Sequence, residues 1–503
     1  MSISFKFSLT TLLAAPLVFA AAGCSESDKS AAFAYSESTL SLMPEAQNGV
    51  AAVDEEGNPV TTEDGETVML PGVKELIDSR FGTPQDLVAW KALPINFGGT
   101  EARIAEDGDA DSLIKELTLE LDEDSLVELE AGDQIQFVTG DGASGDQPQT
   151  VTVAGWDSET GVVQLTSELA EGTVPKAGDK VVINGGQHLA NGRALYMRHC
   201  SHCHGTTGDG MGPTAEYLYP RPRNYRHGVF KFTSTTDADK ASRDDIKRIL
   251  KYGIPGTYMP SFLLLEDEEL DQLVEYVRFL AMRGEFERKL AALLAGDFSQ
   301  EEVASRIEDG ESRSEIVAEL QEVMSGYFLE DLADETELLI EKWTIADDSE
   351  AEIEPSIPRV PDSPESRRRG RELYLGKTLN CADCHGAYGL GNGPQTIAFE
   401  KNPVTQELYD EPGLHDVWDN LNQPRNLTQG IYRGGRRPID LFRRIHAGIK
   451  GSRMPSFKNT PHEDIWHVVN YVLSIPFEVE PGVTGATASN DEQQSGESDA
   501  AAD

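Results

Sequence analysis

Apolar and polar positions follow two different rhythms along this chain of 503 residues. Between about 113 and 184 they alternate with period two, in Leu117–Leu121, Gln134–Val138, Thr150–Val153, Gly161–Thr166 and Lys180–Ile183, with Gly, Asp and Asn clusters between them. Short, evenly spaced strands separated by such turns predict a small barrel or sandwich over 113–185. Elsewhere the period is helical. Asp267–Leu280 and His462–Leu473 read as amphipathic helices that close two segments, 186–284 and 362–476. Ile316–Met324 and Leu332–Leu339 predict helices in an acidic connector packed on one of these segments. Weaker helical signals, Val73–Ile77 and Leu87–Leu93, follow a Ser/Ala/Glu-rich stretch over 25–65 that has the composition of a tether.

These rhythms predict a multidomain α+β chain. Its parts are a leader (1–24), a tether with a short helical segment (25–112), a small all-β module (113–185) and an all-α domain (186–284). An acidic helical connector and linker (285–361) follow, then a second all-α domain (362–476) and an acidic tail (477–503) expected to be disordered. Pro355, Pro358, Pro361 and Pro364 stiffen the linker.

The two all-α segments are copies of one another. Gly192-Arg-Ala-Leu-Tyr196 corresponds to Gly370-Arg-Glu-Leu-Tyr374, and Pro222-Arg223-Asn224 with Gly228 to Pro424-Arg425-Asn426 with Gly430. Asp245–Leu250 corresponds to Asp440–Ile445, and Met259-Pro-Ser-Phe262 to Met454-Pro-Ser-Phe457. The second copy carries about 21 extra residues between Pro394 and Pro424, His415 and Trp418 among them. A loop of that size can cover a cofactor edge or meet a partner.

Each copy holds C-x-x-C-H: Cys200-Ser-His-Cys203-His204 and Cys381-Ala-Asp-Cys384-His385. This is the spacing of covalent c-type haem attachment. Two thiols add across the porphyrin vinyl groups, and the adjacent His becomes an iron ligand. A zinc ribbon would bring its second Cys pair within about 15–20 residues, whereas these pairs lie 178 apart. A redox dithiol has no need of His beside both pairs. Two covalently bound haem c groups per chain are expected, with His204 and His385 on the irons.

Met259 lies 55 residues beyond His204, and Met454 lies 69 beyond His385. A lone Met most often fills a core. These two sit in a repeated block, and Met454 is the only Met after residue 385. They are therefore read as the opposite iron ligands, with Met211 and His227 as rivals at the first haem and His446 and His467 at the second. Thioether ligation opposite His raises the potential of a haem. Arg223, Asn224, Arg425 and Asn426 recur at one relative position and suit contact with haem propionates. The alternative for each pair is a surface Arg beside a turn-forming Asn.

In these residues the chain resembles the class I c-type cytochromes, specifically bacterial two-haem members that carry two such domains on one chain. The resemblance covers 186–284 and 362–476. It implies small all-α domains whose first and last helices cross near a haem edge. It also implies a proline carbonyl, after a Gly-rich turn, as acceptor for the proximal imidazole N–H. Pro213 and Pro394 occupy the matching positions.

Net charge is −44, but the repeats do not share it. Residues 186–284 hold 13 Lys/Arg against 12 Asp/Glu, and 362–476 hold 15 against 13. Charge beyond a Debye length of about 8–10 Å is screened, so docking at the haem domains is governed by near-neutral surfaces. Nucleic-acid binding is not expected, since the densest basic run, Arg367-Arg368-Arg369-Gly370-Arg371, reads as a solvated helix start. At the leader, Lys6 precedes an apolar run from Leu9 to Val18 and then Ala22-Gly23-Cys24, which resembles a lipobox. The expected protein is exported to the periplasm and held on a membrane by a lipid on Cys24. Cleavage after a small-x-small site, leaving a soluble protein, is the alternative. No later stretch approaches the roughly 18 apolar residues of a membrane span.

Two Met/His haems leave no open iron, so the expected function is electron transfer in a bacterial respiratory chain, from a quinol-oxidising complex to a terminal oxidase. The alternative is a haem enzyme of the peroxidase or thiosulfate-oxidising type, which needs a vacant or labile ligand at one iron. A structural role in a respiratory complex, with 113–184 as adaptor, overlaps the first reading.

Overall fold

The computed structural model describes residues 32–478, apart from 55, 63, 108–113, 122–128, 138–149, 159 and 170–173. The leader with Cys24 and the acidic tail from 479 lie outside the described residues.

The period-two region is a closed barrel. Its strands are β1 (Thr100–Ile104), β2 (Glu116–Leu121), β3 (Gln134–Phe137), β4 (Thr150–Asp157), β5 (Val162–Leu165) and β6 (Lys180–Ile183). They run β1-β2-β5-β4-β3-β6, every neighbour antiparallel, and β6 closes onto β1 with Thr100 opposite Ile183. Alternate side chains, such as Leu117, Leu119, Val163, Leu165, Val181 and Ile183, fill the interior. β1 lies upstream of the expected module. Only Ala102 and Ile104 face inward from it, so its alternation is too short to stand out.

The segment expected to be a tether is packed where it is described. Glu37–Leu40 and Pro44–Asn48 are helical, and Gly49–Ala51 pairs with Met69–Pro71. Leu42 and Met43 are buried, and Met43 N–H donates to the Phe298 carbonyl at 2.8 Å. Val73–Phe81 is a helix, but Leu87–Leu93 forms turns between Pro84 and Pro94. Its Trp90 ring packs edge-on against Phe81 and Phe286, with centroids 5.6 and 5.5 Å apart.

The first repeat contributes helices α1 (Gln187–His199), α2 (Arg243–Tyr252) and α3 (Asp267–Phe298); the second contributes α4 (Pro364–Leu375), α5 (Pro438–Ala447) and α6 (His462–Ser474). α3 has 32 residues and runs well past the expected boundary at 284. Every residue from Leu273 to Met282 is buried, so this stretch is a helix covered all round rather than an amphipathic one. Its coat consists of α1, the N-terminal segment and the connector. Connector Trp343 is fully buried, donating Nε1–H to Glu285 at 3.1 Å. The buried cations on α3 are paired: Arg278 with Asp347 at 2.9 Å and Arg283 with Glu287 at 3.3 Å.

One apolar cluster consequently runs from Phe33 to Trp343, while the second repeat has its own, with Tyr374, Phe442, Trp466 and Tyr471. The Pro-rich linker lies along the second repeat. Trp466 Nε1 and Asn470 Nδ2 donate to the carbonyls of Ile357 and Val360, both at 3.2 Å.

In each repeat the first and last helices cross through a glycine. A Cβ on Gly192 would lie 2.1 Å from the Gln272 carbonyl oxygen, and one on Gly370 would lie 2.0 Å from that of His467. Only glycine permits so close an approach.

Candidate functional site

The C-x-x-C-H residues sit at the end of α1 and just after α4, each on a single helical turn, Ser201–His204 and Ala382–His385. Both turns are held from the crossing helices by the repeated tyrosine. Tyr196 OH donates to the Gly205 carbonyl and Tyr374 OH to that of Gly386, both at 2.8 Å. Gly205 and Gly386 have φ of +76°, a left-handed conformation that turns the chain immediately after the histidine.

The proximal imidazoles are oriented alike. His204 Nδ1 lies 3.1 Å from the Arg223 carbonyl oxygen, and His385 Nδ1 lies 3.3 Å from that of Arg425. A carbonyl can only accept, so Nδ1 carries the proton in each and Nε2 keeps a lone pair for a metal. Burial lowers the pKa of both rings, that of His204 to about 4, which keeps the imidazoles neutral.

Pro213 and Pro394 do not supply these acceptors, which corrects the expectation drawn from the resemblance. The Gly-rich turn packs instead on the Pro-Arg-Asn segment. A Cβ on Gly210 would lie 2.8 Å from the Pro222 carbonyl, and one on Gly391 would lie 2.6 Å from that of Pro424. It is therefore the next carbonyl along that segment, of Arg223 or Arg425, that reaches the ring. Asn224 and Asn426 cap short turns, each side-chain oxygen accepting a backbone N–H two residues on at 3.0 Å.

The methionines lie in matching loops. Ile254 N–H donates to the Met259 carbonyl at 3.1 Å, and Ile449 N–H to that of Met454 at 3.2 Å. Thr257 and Ser452 hydroxyls accept the methionine N–H at 3.1 and 3.2 Å. Gly253 and Gly448, both at positive φ, let each loop fold back on its own helix.

In the first repeat, Cys200, Cys203, His204 and Met259 line one cavity of about 720 Å³, within the size of cofactor pockets generally. In the second, Cys381 and Met454 pack against the same apolar cluster. Met454 also lines a crevice of about 390 Å³ that it shares with Gly228–Phe230 of the first repeat. Burial pushes the Cys200 and Cys381 thiols up to about 12. Among the described residues no group of three or more His, Cys, Asp or Glu is placed to hold a metal ion. In the first repeat, a haem finds thiols, imidazole and thioether around one cavity.

The rival ligands are placed as follows. Met211 and His227 line the first cavity, Met211 largely exposed and His227 tilted against Trp418 with centroids 5.5 Å apart. His446 stacks on Phe442 at 6.0 Å, and His467 Nδ1 is hydrogen-bonded to the Ser366 hydroxyl at 2.8 Å.

Sequence reasoning missed how the repeats meet. Asp416, Trp418 and Arg433 of the second repeat line the first cavity. The Arg223 guanidinium stacks 3.6 Å from the Trp418 ring centroid, and Lys231 pairs with Asp416 at 3.0 Å, both side chains mostly buried. Arg425 reaches the other way: a Cβ on Gly256 would lie 2.6 Å from its guanidinium. Arg248–Asp440 at 3.4 Å and Lys458–Asp237 at 3.0 Å also cross between the repeats.

Residues 187–277 match the family model "Cytochrome C oxidase, cbb3-type, subunit III", and residues 368–476 match "Cytochrome c". No curated protein matches the chain. Among solved structures, a chain of the Kuenenia stuttgartiensis reducing HAO-like protein complex aligns over 57% of this chain and 95% of its own length, at 21% identity and a TM-score of 0.39. With two cytochrome c domains, each bearing its own C-x-x-C-H, the chain is a multi-haem c-type cytochrome that covalently binds two haem c groups, and electron transfer is the chemistry those domains carry.

Proposed function

We propose that this protein is an exported electron carrier whose two haems are both six-coordinate. His204 and Met259 are the axial ligands of the first haem, and His385 and Met454 those of the second. Electrons pass from a quinol-oxidising complex through the pair to a terminal oxidase. The observation that carries this reading is the likeness of the two sites. Imidazole, glycine turn, tyrosine hydrogen bond and methionine loop are repeated bond for bond. An enzyme of the peroxidase or thiosulfate-oxidising type would need the two irons to differ, one of them open.

Hydrogen peroxide and thiosulfate should therefore be consumed no faster than by a simple six-coordinate cytochrome. Stopped-flow exchange with redox partners should depend only moderately on salt, because each haem domain is close to neutral. Robust peroxide turnover with a high-spin haem on partial reduction would replace this reading with the enzymatic one.

The carrier is held on its membrane by acyl chains on Cys24. No helix among the described residues is long and apolar enough to cross a membrane, and two acyl chains give stable anchoring where one does not. Cys24→Ala should release the protein into the soluble exported fraction with both haems attached. Retention on membranes after a high-salt wash would show that something other than the lipid holds it.

A further inference from the structure

Two of the donors on residues lining the first cavity come from the second repeat and find no acceptor among the described residues. Trp418 Nε1 and Arg433 Nε are both buried without a hydrogen-bond partner among the described residues, and both residues line the cavity of Cys200, His204 and Met259. Both belong to the second domain. An indole N–H and a guanidinium can only donate, and a buried donor left unpaired is costly. The four aspartates that line the cavity are already occupied, Asp209 accepting from the Thr207 hydroxyl and Asp419 from the Tyr409 hydroxyl. Asp416 accepts from Lys231, and Asp245 from Arg248 and the Ser234 N–H. The wall is thus short of an acceptor, and an anionic one fits best.

A haem in this cavity brings two propionates. We propose that the first haem site is completed by the second haem domain, with Trp418 and Arg433 donating to a propionate of the first haem. Trp418 is well fixed for this task. Its ring stacks on the Arg223 guanidinium, and its six-membered ring abuts Gly451, where a Cβ would fall 2.6 Å away. Val417 N–H ties the same loop to the Gly451 carbonyl at 3.1 Å. Gly451 belongs to the Met454 loop, so the insertion that walls the first haem rests on the ligand loop of the second.

The consequence is electrochemical. A cation and a donor beside the propionate keep it ionised and offset its charge, and charge and hydrogen bonding around a haem tune its potential. Removing them should lower the first midpoint and bring the propionate into the titratable range. The midpoint should then fall as pH rises, because the anion that forms favours ferric iron.

The proposal rests on the proposed location of the first haem, and the test separates the two. Full-length protein loaded with both haems is titrated potentiometrically between about pH 5 and pH 8 as wild type, Trp418→Phe and Arg433→Gln. Met259→Ala identifies the wave of the first haem. Trp418→Phe keeps a ring in the wall and removes only the N–H, so it remains informative if Arg433→Gln fails to fold. The expected result is a lower first midpoint that becomes pH-dependent in both variants, with the second midpoint unchanged. An unchanged first midpoint and pH profile in haem-replete Trp418→Phe and Arg433→Gln would overturn the proposal, as would a shift confined to the second haem. If Met259→Ala leaves every haem band unaltered, Met259 is not the ligand of the first haem and the proposed ligation fails, while the midpoints and pH profiles of Trp418→Phe and Arg433→Gln still decide the propionate contact.

Discussion

Replacing Met454 by Ala should turn the second haem from a closed centre into one that binds carbon monoxide when ferrous and cyanide when ferric, one ligand per chain where the intact protein binds none. No other methionine follows residue 385. The two histidines that could substitute sit on helices α5 and α6 rather than on the loop of Met454. His467 Nδ1 is hydrogen-bonded to Ser366, and His446 stacks on Phe442. Alanine cannot ligate, and the loop that presents position 454 is fixed by its own backbone hydrogen bonds. The second midpoint should also fall, since water or a nitrogen ligand lacks the thioether's preference for ferrous iron. A variant that keeps the full far-red methionine-to-iron intensity would show that Met454 is not the ligand.

The largest loss of stability is expected from Gly370→Ala. Its Cβ would stand 2.0 Å from the His467 carbonyl oxygen and 2.7 Å from Tyr471 Cβ. Neither obstacle is a flexible side-chain end, so α4 and α6 must move apart. Overpacking of this kind costs about 1–3 kcal/mol and occasionally more, and a clash with backbone lies at the upper end of that range. The displaced helix carries Tyr374, whose hydroxyl holds the turn after His385. Haem loading at Cys381 and Cys384 should therefore drop along with the thermal midpoint of the second domain. Calorimetry with a haem stain of the variant checks both, and Gly192→Ala should do the same to the first domain. Wild-type melting in either variant would mean that the helices do not cross at these glycines.

Much of the candidate site is legible in the sequence because its residues act locally and occur twice. The C-x-x-C-H turns, the glycine and tyrosine of the first helix, and the methionine loops are short blocks whose geometry is set within a few residues. The acceptor of the proximal imidazole is not local. It depends on how a left-handed glycine turn lays the chain against Pro-Arg-Asn, and the family resemblance pointed instead to Pro213 and Pro394. The wall of the first cavity is less legible still. Trp418 and Arg433 meet the first haem motif across the two repeats, and a repeat reports likeness between copies rather than contact between them.

The fold divides in a similar way. Five barrel strands announce themselves by alternation, while β1 offers two inward side chains and is recognised only by pairing with both β2 and β6. The stretch over 25–65 has the composition of a tether, yet Leu42 and Met43 bury themselves on α3. A few apolar residues in a polar segment suffice when a helix offers them a complete surface. α3 itself outruns its expected end because its partners come from the N-terminal segment and from the connector, where local periodicity cannot see them.

The central claim is that both irons are closed by methionine and histidine, and spectroelectrochemical titration of the purified full-length protein tests it most directly. It should reveal two low-spin haems per chain, each losing a far-red methionine-to-ferric-iron band on reduction, with no high-spin signal at any potential. A haem that is high-spin or lacks that band, at either site, would contradict it.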